Sequence, residues 1–410
     1  MEKKTIKIVI AGHVDHGKST LIGRLILDTN SLPKGKTEEI KNISRQLGKD
    51  AELAFLTDQL REEREKNMTI DTAQVFFKTR KNNYVIIDTP GHAEFIKNML
   101  TGSSAADIAV LVVDVQAGAM EQTYRHAYLI SMLGIDKIIV LLNKMDLAGY
   151  KEEVFNKVKA QLLEFLQKLG LNPFFTAPVS AKCGDNIARK SSRASWYKGK
   201  TLLEALDSLR PDANETKDEL LRFPVQDIYN IEGKCIIAGR VACGIMKRGQ
   251  KVILLPSREE TTINTIRVFG ENGRTKALTG ENIGITLDKP LPIRRGNIFV
   301  SKECPLTSAL YFKGEFFWLS EEPLQLNGRI TLRCATQEVQ AIVEKIEKRI
   351  DSTNLQIIEE DALKIELNDI GVAIFKAEQP ITIEKFSYVR ELGRFVIERD
   401  STVEGVGICV

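Results

Sequence analysis

Nine residues near the start of the chain, GHVDHGKST at positions 12–20, limit what it can fold into more than any other stretch. They have the form G-x-x-x-x-G-K-[ST], with Gly12, Gly17, Lys18 and Ser19 in the fixed places and Thr20 directly after. His13, Val14, Asp15 and His16 fill the interval. β-formers at 6–10 come before, and a helix-like stretch at 19–27 comes after. That strand–loop–helix order is the setting a phosphate-binding loop requires. Its glycines let backbone N–H groups turn toward an anion, the helix N-terminus adds the positive end of its dipole, and Lys18 supplies a full charge for the outer phosphates of a nucleoside triphosphate. The Ser19 hydroxyl is placed to ligate magnesium.

The sequence that follows supplies the sheet such a loop sits on. Residues 73–79 and 83–88 read as strands joined by a polar turn at 80–82. DIAVLVVD at 107–114 and DKIIVLL at 136–142 are apolar runs of the kind buried on both faces of a parallel sheet. Stretches 122–133 and 152–169 have helical spacing. The alternation predicts an α/β domain with a mostly parallel sheet and helices on both faces, ligands lying at the carboxyl ends of the strands.

Three further motifs fall at those ends. In DTPGH, the acidic Asp88 is expected to hold magnesium, usually through water. Thr89 and Pro90 lead to Gly91, whose N–H can swing toward a terminal phosphate, and then to His92, nearest to where an attacking water would lie. In NKMD, the Asp146 carboxylate can accept from both N1–H and the N2 amine of guanine, a pair adenine lacks. Asn143 can bridge from the base to the phosphate loop, the Lys144 stem can cover the base face, and Met145 lies between. Ser180, Ala181 and Lys182, after an apolar run at 174–179, can present a backbone N–H to the guanine O6. In LREEREKNMTID at 60–71, Thr69 could join Ser19 on magnesium while a γ-phosphate is present, making 30–72 a segment ordered by GTP and released on hydrolysis.

At 410 residues the chain should hold two or three domains. Lys and Arg number 58 against 55 Asp and Glu, a balance that argues neither for nor against RNA and gives no reason to expect DNA. Cysteines at 183, 235, 243, 304, 334 and 409 form no C-x-x-C pair, so they read as reduced thiols of a cytoplasmic protein rather than zinc ligands or a redox pair. The start, MEKKTIKIVI, has charges breaking its apolar run and is not expected to be a signal peptide. No apolar stretch approaches the ~20 residues that cross a bilayer, so no membrane partner is expected.

A polar linker at 209–219, with Pro and Asn, separates the halves. Beyond it the pattern becomes short strands with Gly turns, including a hairpin expected at Glu271, Asn272 and Gly273. The expected domains are a nucleotide-binding domain at 1–210, a linker at 211–220, and two antiparallel β-barrels at 221–304 and 305–410. Strand candidates in the last are 314–319, 329–334, 338–350, 363–367, 371–377 and 394–397.

The loop, the Thr69 segment, DTPGH, NKMD and SAK together resemble the translational-type GTPases, over essentially the whole chain. FIKNMLTGSSAADIAVLVVD at 95–114, EQTYRH at 121–126 and WYKGKTLLEALD at 196–207 bring it closest to the branch holding elongation factor 1-alpha and the GTPase subunit of sulfate adenylyltransferase. The resemblance implies GTP/GDP and Mg2+ as cofactors. Lys18 would contact the phosphates, Ser19 and Thr69 would ligate the metal, and Asp88 would hold its water. His92 would orient the hydrolytic water, flanked by Val14 and Met68 as an apolar gate. Asn67 and Met68 depart from the Gly-Ile usual in the family.

Two roles share this architecture: delivery of aminoacyl-tRNA to the ribosome, and GTP-driven synthesis of adenosine 5′-phosphosulfate from ATP and sulfate. GEFFWLSEEPLQLNGRITLRCAT at 314–336 and ELNDIGVAIFKAEQPI at 366–381 are similar to the sulfate subunit, although Trp318 also reads as barrel core. The chain has no His after His126, where the tRNA carriers have a Cys-His-Thr run. It also has no S-G-G-x-D-S pyrophosphate loop, so adenylyl transfer would fall to a partner catalytic subunit that carries one. The alternative partners are aminoacyl-tRNA and the ribosome.

Overall fold

A computed structural model describes residues 5–31, 73–88, 106–209 and 221–410, apart from 232, 269, 272, 304, 305 and 307. The chain divides into two compact units, Met1–Pro211 with Ser352–Asn354, and Asp212–Asp351 with Leu355–Val410.

The first unit is built on a six-stranded sheet. Its strands are β1 (Thr5–Ala11), β2 (Ala73–Lys78), β3 (Asn83–Asp88), β4 (Ile108–Asp114), β5 (Ile138–Asn143) and β6 (Phe175–Pro178), in the order β2-β3-β1-β4-β5-β6. β2 and β3 form an antiparallel pair at one edge. Every other pairing is parallel, which makes the sheet mostly parallel. All residues of β4 and β5 are buried, the outcome of covering both faces.

The helices are α1 (Lys18–Asp28), α2 (Glu121–Met132), α3 (Glu152–Lys168) and α4 (Leu202–Ser208). Leu21, Ile22, Leu25 and Ile26 of α1 share a core with Ile8, Ile10, Val110, Val112 and Leu141, and Leu202 and Leu206 of α4 complete it. Strand residues alternate in direction, so Ala109, Leu111, Val113, Val140 and Leu142 turn to the opposite face, where α2 meets β4 and α3 meets β5. From β1 the chain moves to one side, to β3, and later returns to β4 on the other. That reversal leaves a crevice at the carboxyl ends of β1 and β4.

The second unit holds two β modules. The first comprises β7 (Arg222–Ile231), β8 (Lys234–Arg240), β9 (Ile245–Lys247), β10 (Lys251–Leu255), β11 (Glu259–Arg267), β12 (Lys276–Leu278), β13 (Asn282–Leu287) and β14 (Ile298–Ser301). Six strands close into a barrel, β10-β11-β13-β8-β7-β14, around Phe223, Val225, Ile237, Val252, Ile285 and Phe299. The expected hairpin at 271–273 is different in the structure. Val268 and Glu271 make an isolated bridge, but β12 then leaves to pair with β9, while β11 pairs with β13. Burial explains the choice: Ala277 of β12 and Met246 of β9 are paired in register, and both lie in the barrel core.

The last module contains β15 (Ala309–Trp318), β16 (Leu324–Gln325), β17 (Arg329–Cys334), β18 (Gln337–Asp351), β19 (Ile357–Glu360), β20 (Lys364–Ile365), β21 (Asp369–Ile381), the short helix α5 (Arg390–Gly393), β22 (Arg394–Arg399) and β23 (Thr402–Cys409). The sheet runs β17-β22-β23-β15-β21-β18-β19, and the pairing of β17 with β18 closes it into a ring with β19 outside. Phe312, Phe316, Trp318, Phe375 and Phe395 fill it. Trp318 is fully buried, donates its Nε1–H to the Glu322 carbonyl at 3.0 Å, and lies under the Arg399 guanidinium. It is a core residue.

Candidate nucleotide-binding site

The crevice is lined first by the loop from β1 to α1. Gly12 has φ 150° and Gly17 φ 88°, and a Cβ at either would collide: 2.2 Å from the Val112 carbonyl oxygen for Gly12, 2.4 Å from Asn143 Nδ2 for Gly17. Only glycine satisfies both the backbone and the space. Asp15 also takes a left-handed conformation, φ 65°, and is exposed. Gly17 caps α1 with no side-chain cap hydrogen bond, and the first turn of the helix faces the loop. Ser19 and Thr20 sit half-buried in that first turn.

Lys18 folds back across the loop, its ammonium donating to the carbonyls of Gly12 and His13, both at 2.8 Å. A unit charge is thereby held over a ring of backbone dipoles. Val14 stands 61% exposed at the rim. His13 and His16 have ring centroids 5.2 Å apart, and His13 Nδ1 lies 2.6 Å from the Val14 oxygen. His16 is buried, with Nδ1 3.3 Å from the Val112 oxygen and Nε2 unpaired among the described residues. Burial holds His16 below the ordinary imidazole value, against the opposing pull of the Val112 carbonyl, which keeps it neutral beneath the loop at neutral pH.

Asp88 is the last residue of β3, beside the end of β1. Thr89, Pro90, Gly91 and His92 lie outside the described residues, as do Asn67, Met68, Thr69 and most of the 30–72 segment. The phosphate end is therefore seen in its loop and helix, and the residues assigned to metal and water are seen only at Ser19 and the backbone of Asp88.

The other end is complete. Asn143 ends β5, almost fully buried. Its Nδ2 donates to the His16 carbonyl at 2.9 Å, and its Oδ1 accepts the Ala181 N–H at 2.9 Å. One amide thus ties the phosphate loop to the SAK loop. Lys144, in a left-handed turn at φ 63°, reaches back to Asp114 at the end of β4, Nζ to Oδ2 2.8 Å. Burial works to raise the Asp114 value, but the Lys144 ammonium and the N–H groups of Gln116 and Ala117 outweigh it and hold the carboxyl below its usual range. Met145 is fully buried and its N–H donates to the Val179 carbonyl at 3.2 Å, pinning the turn to the end of β6. The half-buried Asp146 accepts the Ser180 hydroxyl at 2.6 Å. That hydroxyl also accepts the Cys183 N–H at 3.1 Å. Lys182 is exposed.

Several supporting residues have no motif to announce them. Arg24 of α1 donates to the carbonyls of Ala181 and Lys182. The Tyr150 hydroxyl donates to Asp185, which also pairs with Arg193, and Trp196 Nε1–H donates to the Tyr150 carbonyl. Arg193 covers the Tyr150 ring. These contacts brace the NKMD turn against the SAK loop from behind. Trp196 stood inside a distinctive run in the sequence, and Arg24 had no signal at all.

Comparison with known proteins agrees with this geometry. The profile of the Elongation factor Tu GTP binding domain matches residues 3–212, and that of the GTP-eEF1A C-terminal domain-like family matches 311–410. Elongation factor 1-alpha of Methanoculleus marisnigri is 36% identical over 416 residues, covering 100% of this chain and 97% of its own. The Pyrococcus abyssi protein of the same name is 38% identical over 409 residues, covering 97% and 95%. Sulfate adenylyltransferase subunit 1 of Pseudoalteromonas atlantica is 36% identical over 414 residues, covering 99% and 87%.

Proposed function

The chain belongs to the elongation factor Tu family of GTP-binding proteins, and we propose that it is a GTP-hydrolysing switch that, on the sequence of its last module, drives adenosine 5′-phosphosulfate synthesis on a partner subunit. The observation behind the switch is the single line of contacts along the strand ends. Lys18 arches over the phosphate loop, Asn143 joins that loop to SAK, and Ser180 steadies Asp146 for the N1–H and N2 amine of guanine. The Ser180 hydroxyl donates to one oxygen of the Asp146 carboxylate and leaves the other for a ligand.

Magnesium takes hard oxygen donors, and the chain offers hydroxyls at Ser19 and Thr69 and a carboxylate at Asp88. Ser19 lies in the first turn of a helix with no side-chain cap, where an anion and its counter-ion are both accommodated. Bound there, the ion would neutralise phosphate charge. Lys18 supplies a fixed positive charge from this chain, and His92, with Val14, Met68 and Gly91 around it, would orient the hydrolytic water.

The sulfate role is supported by WLSEEP and DIGVAIF in the last module and by the missing His beyond His126. A specific observation favours a second reading, delivery of aminoacyl-tRNA. The elongation factors 1-alpha match this chain at 36% and 38% identity, no less than the sulfate subunit at 36%, and the last module matches the eEF1A C-terminal profile. Both readings place the protein in the cytoplasm; no helix among the described residues is long and apolar enough to cross a membrane.

Nucleotide competition with magnesium present tests the switch: GTP should displace a fluorescent GDP analogue, and ATP should not. Affinity capture of the native chain tests the role. A companion carrying a pyrophosphate loop, whose adenylyl transfer rises with GTP, supports sulfate activation. Stable GTP-dependent binding of aminoacyl-tRNA overturns it in favour of the second reading.

A further inference from the structure

Asp114 belongs to none of the motifs that carry the site, yet it ends β4 with a carboxylate that works in two directions. Oδ1 accepts the Gln116 N–H at 2.8 Å, and Oδ2 stands 2.8 Å from Lys144 Nζ. The Ala117 N–H also bonds to the group. Its side chain is 11% exposed, against 30% for Lys144. Burial works to raise the carboxyl's value and is outweighed, so the group is charged at neutral pH.

Asp114 and Asn143 are register partners across the parallel pair β4–β5, so the loops that leave the two strands start side by side. The Val115 N–H donates to the Asn143 carbonyl at 3.0 Å, and Gln116 Nε2 donates to the Leu147 carbonyl at 2.9 Å. The NKMD turn is thereby held at both ends by the loop after β4, with Lys144 between. Its left-handed backbone, φ 63°, fixes where the lysine stem begins. The ion pair fixes where it ends. A lysine head is strongly hydrated and its four-carbon stem is flexible, so an unanchored Lys144 would swing to water. Asp114 is the partner its ammonium meets among the described residues.

We propose that Asp114 is a positioning residue for the bound nucleotide: by tethering the Lys144 ammonium, it lays the lysine stem over the face of the base and slows nucleotide release. The proposal rests on the guanine reading of the site. A stem against a ring face reads no edge atoms, so Asp114 governs how long a base stays rather than which base is chosen.

A double-variant cycle separates this tether from general support. Release of a fluorescent GDP analogue, chased with excess GDP, is timed on the full chain, on Asp114→Asn, on Lys144→Met and on the double variant. Asp114→Asn keeps an acceptor for the Gln116 N–H and loses the charge that holds Lys144. Lys144→Met keeps an apolar stem and loses its charged head. Each single variant should release about three- to tenfold faster than the parent, the value of one partly exposed, hydrogen-bonded ion pair. In the Lys144→Met background, Asp114→Asn should add less than about twofold, because the tether is already gone. Preference for GTP over ITP, which lacks the N2 amine that Asp146 reads, should stay at the parent value in Asp114→Asn. A role confined to bracing the Gln116 and Ala117 N–H groups gives equal acceleration in both backgrounds, and that result overturns the proposal. So does a parent release rate in either single variant, or a lost preference for GTP over ITP in Asp114→Asn. If Asp114→Asn does not fold, Asp114→Glu, which keeps the charge and moves it by one methylene, takes its place in the cycle and the same outcomes decide. A parent chain without preference for GTP over ATP would instead remove the guanine reading itself.

Discussion

Arg222 and Glu384 meet side-on: Nε to Oε2 at 2.8 Å and Nη2 to Oε1 at 2.9 Å, with the arginine almost wholly buried. Arg222 opens the first strand of the barrel, and Glu384 follows the long strand β21 of the last module. Around the pair, Leu255, Ile298 and Val300 of the barrel share a small core with Val389 and Leu392. This bidentate ion pair and the apolar packing join the two modules, and Arg240 of β8 reaches Glu391 at 3.5 Å as a second ion pair between them. Breaking such a pair leaves an uncompensated buried charge, at a cost of about 3–5 kcal/mol. Arg222→Met should lower the urea midpoint of the β modules clearly, and Arg222→Met with Glu384→Leu should recover much of the loss. A single variant with the wild-type midpoint would contradict this.

Asn143→Ala removes two hydrogen bonds and leaves the His16 carbonyl and the Ala181 N–H unpaired in a buried place. GDP affinity, read by titration of a fluorescent analogue, should drop roughly 10- to 1000-fold. The far-UV spectrum should not change.

Asp146→Asn puts an amide where guanine needs an acceptor. Preference should move from GTP to xanthosine triphosphate in a competition assay. Ser180 can still donate to the amide oxygen, so the fold should persist. Retained GTP preference would remove Asp146 from the base site.

His92→Ala should leave GTP affinity nearly intact and slow hydrolysis roughly 100- to 10,000-fold in single-turnover measurements. Equal loss of binding and hydrolysis would make His92 structural.

Burial pushes the Cys334 thiol up to about 12 from an ordinary 9.0, and its Sγ–H donates to the Leu392 carbonyl. The folded value lies above the unfolded one. The neutral thiol's contribution to stability is therefore complete below about pH 9 and fades as pH climbs from there toward 12. At pH 8, iodoacetamide should label the exposed Cys183 and Cys235 and spare Cys334 until urea is added, as read by peptide mass spectrometry.

The parts of this structure that were legible in the sequence are those in which chemistry and local geometry coincide. Gly12 and Gly17 announce a backbone no other residue can follow, and NKMD and SAK fall at the ends of apolar strands. What stayed hidden depends on distance along the chain or on competing signals. Arg24 meets Ala181 across 157 positions, and nothing in the sequence around either marks the contact. β23 was missed because Gly405 and Gly407 interrupt its pattern. Those glycines are there because the rings of Trp318 and Phe395 occupy the space a Cβ would need. α4, at seven residues, is shorter than periodicity can register, although Thr201 and Glu204 form a capping box at its start. The strand expected at 363–367 is reduced to Lys364–Ile365.

The ring of the last module is closed by β17 and β18, but β18 runs on past the closure and carries β19 outward. That four-residue strand is the place where this sheet could recruit a stranger's backbone, and Ile357 and Ile358 are both uncovered on it. Glu359 and Glu360 complete the strand. A second copy laid alongside would bring carboxylates together over too short a ladder to compensate them. The short length of this strand and its two carboxylates thus disfavour pairing along the edge.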